Sequence, residues 1–160
     1  MTRNHRHRRE RAGAFTILSL SAVALTGGCA PRESARHDES IVGAWLVTIP
    51  EAPFQNHVIT FHADGTLLQS NPDAGDPYTS DSNGMGAWVA EGDHVAGKFV
   101  EVTADRSTHK FVSRGEIAFV VRVQADRIRG GGTAHFFDSS GAPSGDPIPF
   151  TLSGSRIHAQ

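Results

Sequence analysis

The stretch that decides the fold is KFVSRGEIAFVVRVQADRIRGGGTAHFF, residues Lys110–Phe137. Apolar and polar side chains alternate along it, which is typical of β-strands with one dry face and one wet face. The Ala125-Asp126 pair divides it into two strands, which must pair antiparallel because the link is short. The predicted inward residues are Ile117, Phe119, Val121 and Val123 on the first strand, and Ile128, Gly130, Gly132, Ala134 and Phe136 on the second.

The run from Gly130 to Gly132 is unusual, because glycine weakens the interior of a strand. It indicates a bend, or a place where another group approaches the backbone closely. Gly97 and Ala134 are further small residues on inward faces. We therefore expect a curled sheet, and we expect these small residues to leave open space inside it.

Similar short segments of β-branched and aromatic residues continue through the domain, and no window has the apolar spacing of a helix. Tight turns at Ala63–Gly65 and Glu91–Asp93 predict antiparallel neighbours, whereas Asn71–Asn83 is predicted to be a long acidic loop. The pattern predicts an all-β fold, an eight-stranded antiparallel up-and-down barrel. The predicted strands are Gly43–Ile49, His57–His62, Thr66–Ser70, Gly86–Ala90, Val95–Thr103, Lys110–Gln124, Arg127–Phe137 and Pro149–Ile157.

The N-terminus has the features of an export signal. Several arginines precede an apolar run from Ala12 to Leu25, and small residues then lead to Cys29. As a helix this run would rise only about 21 Å, against the roughly 30 Å of a bilayer core, so a stable membrane span is not expected. We predict that residues 1–28 are a cleaved signal peptide.

The segment LTGGC, Leu25–Cys29, resembles the bacterial lipobox, although a lipobox usually has an aliphatic residue where Thr26 stands. The resemblance implies that Cys29 is diacylated and anchors the exported protein to the outer face of the bacterial cytoplasmic membrane or to the cell envelope. The alternative is an ordinary signal peptide followed by an incidental cysteine. The general secretory route stays open, and so does the twin-arginine route, given Arg8-Arg9.

Residues 29–40 are small or polar, so we predict a disordered tether there, followed by a single domain over residues 41–160. Without residues 1–28, the 15 basic and 17 acidic residues of the chain fall to 10 and 16, and 10 − 16 gives a net charge of −6. An acidic domain repels phosphate backbones. A nucleic-acid partner is therefore not expected.

The motif Gly43-x-Trp45 at the start of the first strand resembles that of the calycin barrels, which include lipocalins, fatty-acid-binding proteins and avidins. The resemblance implies that Trp45 packs across the closed end of the barrel and that Arg156, on the last strand, lies against it. The chain lacks the lipocalin disulfide cysteines and the later tryptophans of avidins. Allene oxide cyclases share a similar eight-stranded barrel.

The sequence gives few direct signs of chemistry. Histidines are frequent, but His57 and His62 would point to opposite faces of a strand, so we expect no metal and no other cofactor. Motifs for a serine or cysteine nucleophile and for a phosphate-binding loop are missing from the sequence. Glu101 is a candidate inward acid, and the alternative is a carboxylate at the rim of the barrel.

Three functions fit these features. The first is a binding protein that holds a small apolar or amphipathic ligand inside the barrel. The second is a cofactor-free cyclase or isomerase of the allene oxide cyclase type, which would need paired inward polar groups. The third is a structural or protein-interaction lipoprotein of the envelope. The residues predicted to line a cavity are Trp88, Phe99, Glu101, Phe119, Gly130, Gly132 and Phe136.

Overall fold

The structure is a computed structural model that describes residues 41–70 and 76–159. The predicted signal peptide, the tether and Cys29 lie outside the described residues. The part described forms strands and no helix, and so contains no helix that could cross a membrane. The strands are β1 (Gly43–Thr48), β2 (Asn56–Phe61), β3 (Thr66–Ser70), β4 (Thr79–Asp81), β5 (Gly84–Glu91), β6 (His94–Asp105), β7 (Phe111–Gln124), β8 (Arg127–Asp138) and β9 (Ile148–Arg156).

These strands form one closed antiparallel barrel. From β1 to β3 and from β5 to β9 each strand pairs with the next along the chain, and β3 pairs with β5. Strand β9 pairs back with β1, which closes the sheet. Strands β4 and β5 pair with successive parts of β6, so together they occupy one of eight positions in the barrel. The predicted eight-stranded antiparallel meander is confirmed.

Strand β4 corrects the prediction of an unbroken loop over Asn71–Asn83. It pairs with the end of β6, where the Thr103 hydroxyl donates to Asp81 Oδ1 at 2.7 Å. The Ser82 N–H then donates to the Val102 carbonyl at 2.9 Å, which continues the pairing past the strand. This short pairing brings Asp81 to the wall of the barrel. Residues 71–75 of the predicted loop lie outside the described residues.

Large apolar side chains fill the end of the barrel that contains Trp45 and Trp88, both of which are buried. The Phe61 ring meets the Trp88 ring edge-on, with centroids 5.9 Å apart. The Trp45 Nε1–H donates to the Ile41 carbonyl at 2.8 Å, and the Trp88 Nε1–H donates to the His62 carbonyl at 3.0 Å. Because both indole donors are satisfied, this end gains the full benefit of burying two large rings.

The inward glycines do not leave open space, which corrects that expectation. A Cβ on Gly132 would overlap the Ala118 carbonyl oxygen of β7, and one on Gly130 would overlap another carbonyl of that strand. A Cβ on Gly97 would overlap the Phe119 ring. These glycines let strands and a ring approach closely, which is the other interpretation that the sequence left open.

Candidate functional site

A cavity of about 340 Å³ lies in the half of the barrel away from the two tryptophans. At its floor are the rings of Phe99 and Phe119, whose centroids are 6.4 Å apart. Residues 49 to 54, between β1 and β2, border it on one side, and Ile148 and Phe150 of β9 border it on another. Small-molecule sites usually have volumes of about 300 to 1,000 Å³, so the cavity is large enough for one small ligand.

The structure separates the residues that the sequence assigned to a cavity into two groups. Phe99, Glu101, Phe119 and Phe136 line the cavity, as does the small inward residue Ala134. Trp88, Gly130 and Gly132 do not. Trp88 lies in the buried cluster at the other end, and the two glycines face the backbone of β7.

The structure brings together Gly43, Trp45 and Arg156, the residues that carry the resemblance to the calycin barrels. The guanidinium carbon of Arg156 lies 4.3 Å from the centroid of the Trp45 ring, and its Nη1 donates to the Val42 carbonyl at 2.7 Å. Gly43 has a φ of 127°, and a Cβ there would come within 3.0 Å of Arg156 Nη1. A glycine at this position therefore accommodates both the backbone turn and the arginine that covers the indole.

Apart from Glu101, the sequence interpretation missed the polar residues of the cavity, among them His57, Gln69 and Asp81. The Gly84 N–H donates to Gln69 Oε1 at 3.1 Å, which orients the amide so that its Nε2 lies 2.9 Å from His57 Nδ1. An amide nitrogen only donates, so His57 Nδ1 must accept. In the neutral imidazole the hydrogen is then on Nε2.

The Nε2 atom of His57 is shielded from solvent and has no hydrogen-bond partner within the described part of the chain. Burial lowers the pKa of His57 below its ordinary value, and an interaction with the Phe54 backbone opposes only part of this, so the ring is mainly neutral at pH 7. A buried donor without a partner costs about 1 to 3 kcal/mol and is uncommon in folded proteins. The His57 ring is therefore held on this wall by Gln69, with a further interaction from the Phe54 backbone.

Glu101 faces inward from β6, beside Asp81 of β4. Burial, and to a smaller extent the charge of Asp81, raises the pKa of the Glu101 carboxyl to about 7. The side chain lies against Gly115 of β7, where a Cβ would come within 3.2 Å of Glu101 Oε1. A carboxyl group with this pKa exchanges a proton readily near neutral pH.

The cavity is therefore amphipathic. More than half of its apolar side chains come from β7, β8 and β9, whereas β2, β3, β4 and β6 contribute most of its polar groups. This arrangement can hold an apolar molecule and orient one polar group of it. Across residues 41–70 and 76–159, no three histidine, cysteine, aspartate or glutamate side chains are grouped so as to hold a metal ion.

We expect the Glu101→Gln variant to be more stable than the parent protein at pH 8, by on the order of 2 kcal/mol. The folded-state pKa of about 7 lies above the ordinary value of 4.5, so the folded state binds the proton more tightly than the unfolded state. The contribution of Glu101 is fully favourable below pH 4.5 and is lost as the pH rises through about 7. Denaturant unfolding at pH 5 and pH 8 measures this.

Glu91→Gln is the matched control, because Glu91 is exposed at the opposite end of the barrel. It removes the same charge and should leave the pH dependence of the parent protein in place. Equal pH dependence in Glu101→Gln and the parent would contradict the raised pKa of Glu101.

The closed antiparallel barrel and its half-filled interior are established by the strand pairing and by the cavity. No family model, no curated protein and no solved structure matches the chain. The chemistry of the cavity itself is therefore the basis for a function.

Proposed function

We propose that the protein is a membrane-tethered extracytoplasmic binding protein that holds one small, mainly apolar ligand in its barrel. The observation that carries the proposal is the cavity of about 340 Å³, with its apolar floor and a cluster of polar groups on one wall. Barrels of eight strands either fill their interior with side chains or hold one small ligand. Here the tryptophan end is filled, and the opposite half is open enough for a ligand.

The same features support the more specific proposal that the barrel is of the calycin type. Gly43, Trp45 and Arg156 meet at one end, as the resemblance to calycins implies, and the cavity lies beyond them. In this proposal the tryptophan end is the structural base and the other end admits the ligand. The lipidated Cys29 supplies the membrane anchor, and the polar segment after it gives the barrel freedom to reach its ligand.

Filling the cavity should abolish ligand uptake. Ala134→Phe adds a ring to the cavity wall, so the purified full chain should bind the fluorescent apolar dye N-phenyl-1-naphthylamine at least tenfold more weakly. Ala118→Phe is the matched control, because Ala118 is exposed on the outer face of β7. Its dye affinity should equal that of the parent. No dye binding by the parent protein, or equal binding by both variants, would contradict the proposal.

Replacing Cys29 with serine should release the protein from membranes. The acyl chains are the apolar anchor that remains once residues 1–28 are removed, and a serine cannot carry the thioether. Detergent phase partitioning of the two forms measures the change: the parent should enter the detergent phase and the variant the aqueous phase. A Cys29→Ser protein that stays in the detergent phase would show that the uncleaved segment Ala12 to Leu25 is the anchor instead.

A cofactor-free cyclase or isomerase is the second candidate, because the cavity holds the paired inward polar groups that such an enzyme needs. Glu101 and Asp81 face one cavity, and the raised pKa of Glu101 suits a general acid or base. Turnover separates the two candidates: a binding protein returns its ligand unchanged, whereas the enzyme releases an isomer. Loss of turnover in Glu101→Gln with ligand affinity retained would favour the enzyme.

A further inference from the structure

A patch of arginine side chains lies on the outer face of the barrel, on β7 and β8. Arg122 of β7 is directly paired with Arg129 of β8, and Arg127 is two residues from Arg129 on the same face. All three side chains are exposed. Like charges directly opposite each other on a sheet repel, so a negatively charged partner at this place would stabilise the pair.

The three arginines differ in how far they are neutralised. Arg122 Nε lies 2.6 Å from Asp93 Oδ2, and the other carboxylate oxygen of Asp93 lies 2.7 Å from His94 Nδ1. The side chains of Arg127 and Arg129 make no ion pair or hydrogen bond in the part of the chain that the structure describes. Two positive charges without partners are therefore presented on one face of a domain in which acidic residues outnumber basic ones.

A pocket of about 140 Å³ lies beside these two arginines, on the outer face of β8, β9 and β1. Ser153 of β9 pairs with Arg129, and Ser155 pairs with Arg127, so the two hydroxyl groups lie on the same face as the guanidinium groups. No carboxylate lines the pocket among the described residues. Guanidinium and hydroxyl donors together are the groups that typically hold phosphate oxygens in proteins.

Exposed aliphatic side chains border the patch. Leu46 of β1 lines the same pocket and is 47% exposed. Val120, two residues from Arg122 on the same face of β7, is 50% exposed. Arginines beside exposed aliphatic groups are typical of surfaces that bind anionic membranes, because the arginines meet the phosphates and the aliphatic groups meet the acyl boundary.

The patch is at the tryptophan end of the barrel, where the chain enters it. Leu46 follows Trp45 directly, and the Ile41 carbonyl accepts the Trp45 Nε1–H at 2.8 Å. Residues 29–40, the tether of the proposed function, therefore join the barrel at the end that carries the arginines. A lipid anchor attached at that end keeps the patch within reach of the bilayer.

We infer that the barrel docks on an anionic phospholipid surface through this patch, with a lipid phosphate in the pocket beside Arg127 and Arg129. The inference rests on the membrane tether of the proposed function and adds an orientation to it. The ligand cavity lies in the opposite half of the barrel, so it opens to the aqueous space. The ligand then arrives from the aqueous space and not from the bilayer.

Energy transfer from tryptophan to a dansyl-labelled lipid tests the docking, because Trp45 and Trp88, the two tryptophans of the chain, both lie at this end. The protein, purified with its anchor, is reconstituted in vesicles of phosphatidylcholine alone or mixed with phosphatidylglycerol. Each arginine close to an anionic surface favours docking roughly fivefold, so the two together favour it by about 25-fold. We expect transfer to be at least about twofold more efficient with phosphatidylglycerol, and the difference to vanish in about 1 M salt.

Two double variants locate the docking surface. Arg127→Gln/Arg129→Gln should reduce transfer in phosphatidylglycerol vesicles to the level in phosphatidylcholine vesicles, and the fold should persist because both side chains are exposed and without partners. Lys98→Gln/Lys110→Gln is the matched control, because it removes an equal charge from exposed positions outside the patch. Its transfer should equal that of the parent.

The outcomes separate this inference from the tether and from the ligand cavity. Equal transfer in the two kinds of vesicle, or an equal loss in both double variants, would overturn the docking and leave the tether standing. Failure of the parent to float with phosphatidylcholine vesicles would overturn the tether. Flotation with phosphatidylglycerol vesicles alone, lost in Arg127→Gln/Arg129→Gln, would then still support the docking surface. Dye binding tests the cavity independently of both.

Discussion

Trp45→Ala is expected to lower the free energy of unfolding by roughly 3 to 5 kcal/mol, the usual cost of truncating a buried large aromatic residue. Trp45 is completely buried, and its Nε1–H donates to the Ile41 carbonyl at 2.8 Å. The variant would leave a cavity at the filled end of the barrel and an unpaired carbonyl group. Denaturant unfolding followed by circular dichroism measures the loss.

The matched control is Leu46→Ala, one residue along the same strand. Leu46 is 47% exposed on the outer face, so its truncation should cost less than about 1 kcal/mol. If Leu46→Ala were as costly as Trp45→Ala, the filled end of the barrel would not be the main source of stability.

Arg156 is expected to stabilise this end of the barrel further through its contact with Trp45. Its guanidinium lies over the indole ring and is also tied to the Val42 carbonyl and to Asp126. A double-mutant cycle of Trp45→Ala and Arg156→Ala should give a coupling energy of about 1 kcal/mol, the usual strength of a partly buried cation–π contact. Strict additivity would show that the arginine stabilises the barrel end only through its polar partners.

Alternation of side chains was sufficient to predict the barrel. All eight predicted strands are present within a few residues, because one face of each strand is dry and several of the turns between them are short. Strand β4 could not be found in this way. Its sequence is Thr-Ser-Asp, with no apolar residue to mark an inward face, and its pairing depends on where β6 happens to end.

The cavity was only partly predictable. His57 and Gln69 share inward faces with Ile59 and Leu67, so the alternation that located the apolar core also placed these polar residues inside. The spacing of His57 and His62 argues against a metal site, but the same alternation already indicates that His57 faces inward. Asp81 had no such signal, since it reaches the cavity through the unpredicted β4.

The inward glycines were misinterpreted for a physical reason. A period of two shows which face a residue occupies, but it carries no information about how closely the neighbouring strand approaches. Gly130 and Gly132 face inward as predicted in register, yet the β7 backbone occupies the volume that their side chains would need. Space inside this barrel comes instead from the way in which the large side chains of its open half are arranged.

Gly132→Ala is consequently expected to be severely destabilising, at or above the upper end of the roughly 1 to 3 kcal/mol that overpacking usually costs. The added Cβ would overlap the Ala118 carbonyl oxygen and would lie 2.9 Å from the Phe119 Cα and 2.7 Å from the Phe150 Cζ. The ring can turn aside, but the carbonyl and the Cα belong to the backbone of β7. Relief therefore requires β7 and β8 to separate, which weakens the pairing between Phe119 and Gly132.

Gly115→Ala is the matched control for this steric argument. The three atoms nearest to a Cβ at Gly115 belong to side chains, Phe136 Cε1 at 3.1 Å and Glu101 Cγ and Oε1 at 3.2 Å, and both side chains can move. Its cost should be about 1 kcal/mol or less. Equal unfolding free energies for Gly132→Ala and Gly115→Ala would show that β7 and β8 are not held in such close contact.

Gly132→Val then distinguishes backbone contact from interior space. If the glycine opened onto free volume, valine would be tolerated and would reduce dye uptake by occupying the cavity. Because the first added carbon already meets the β7 backbone, we expect Val to be at least as destabilising as Ala, with most of the loss already present in Ala. The free energies of unfolding of the parent, Gly132→Ala and Gly132→Val proteins give the two losses to be compared. A Gly132→Val variant as stable as the parent would show that Gly132 borders free space in the cavity.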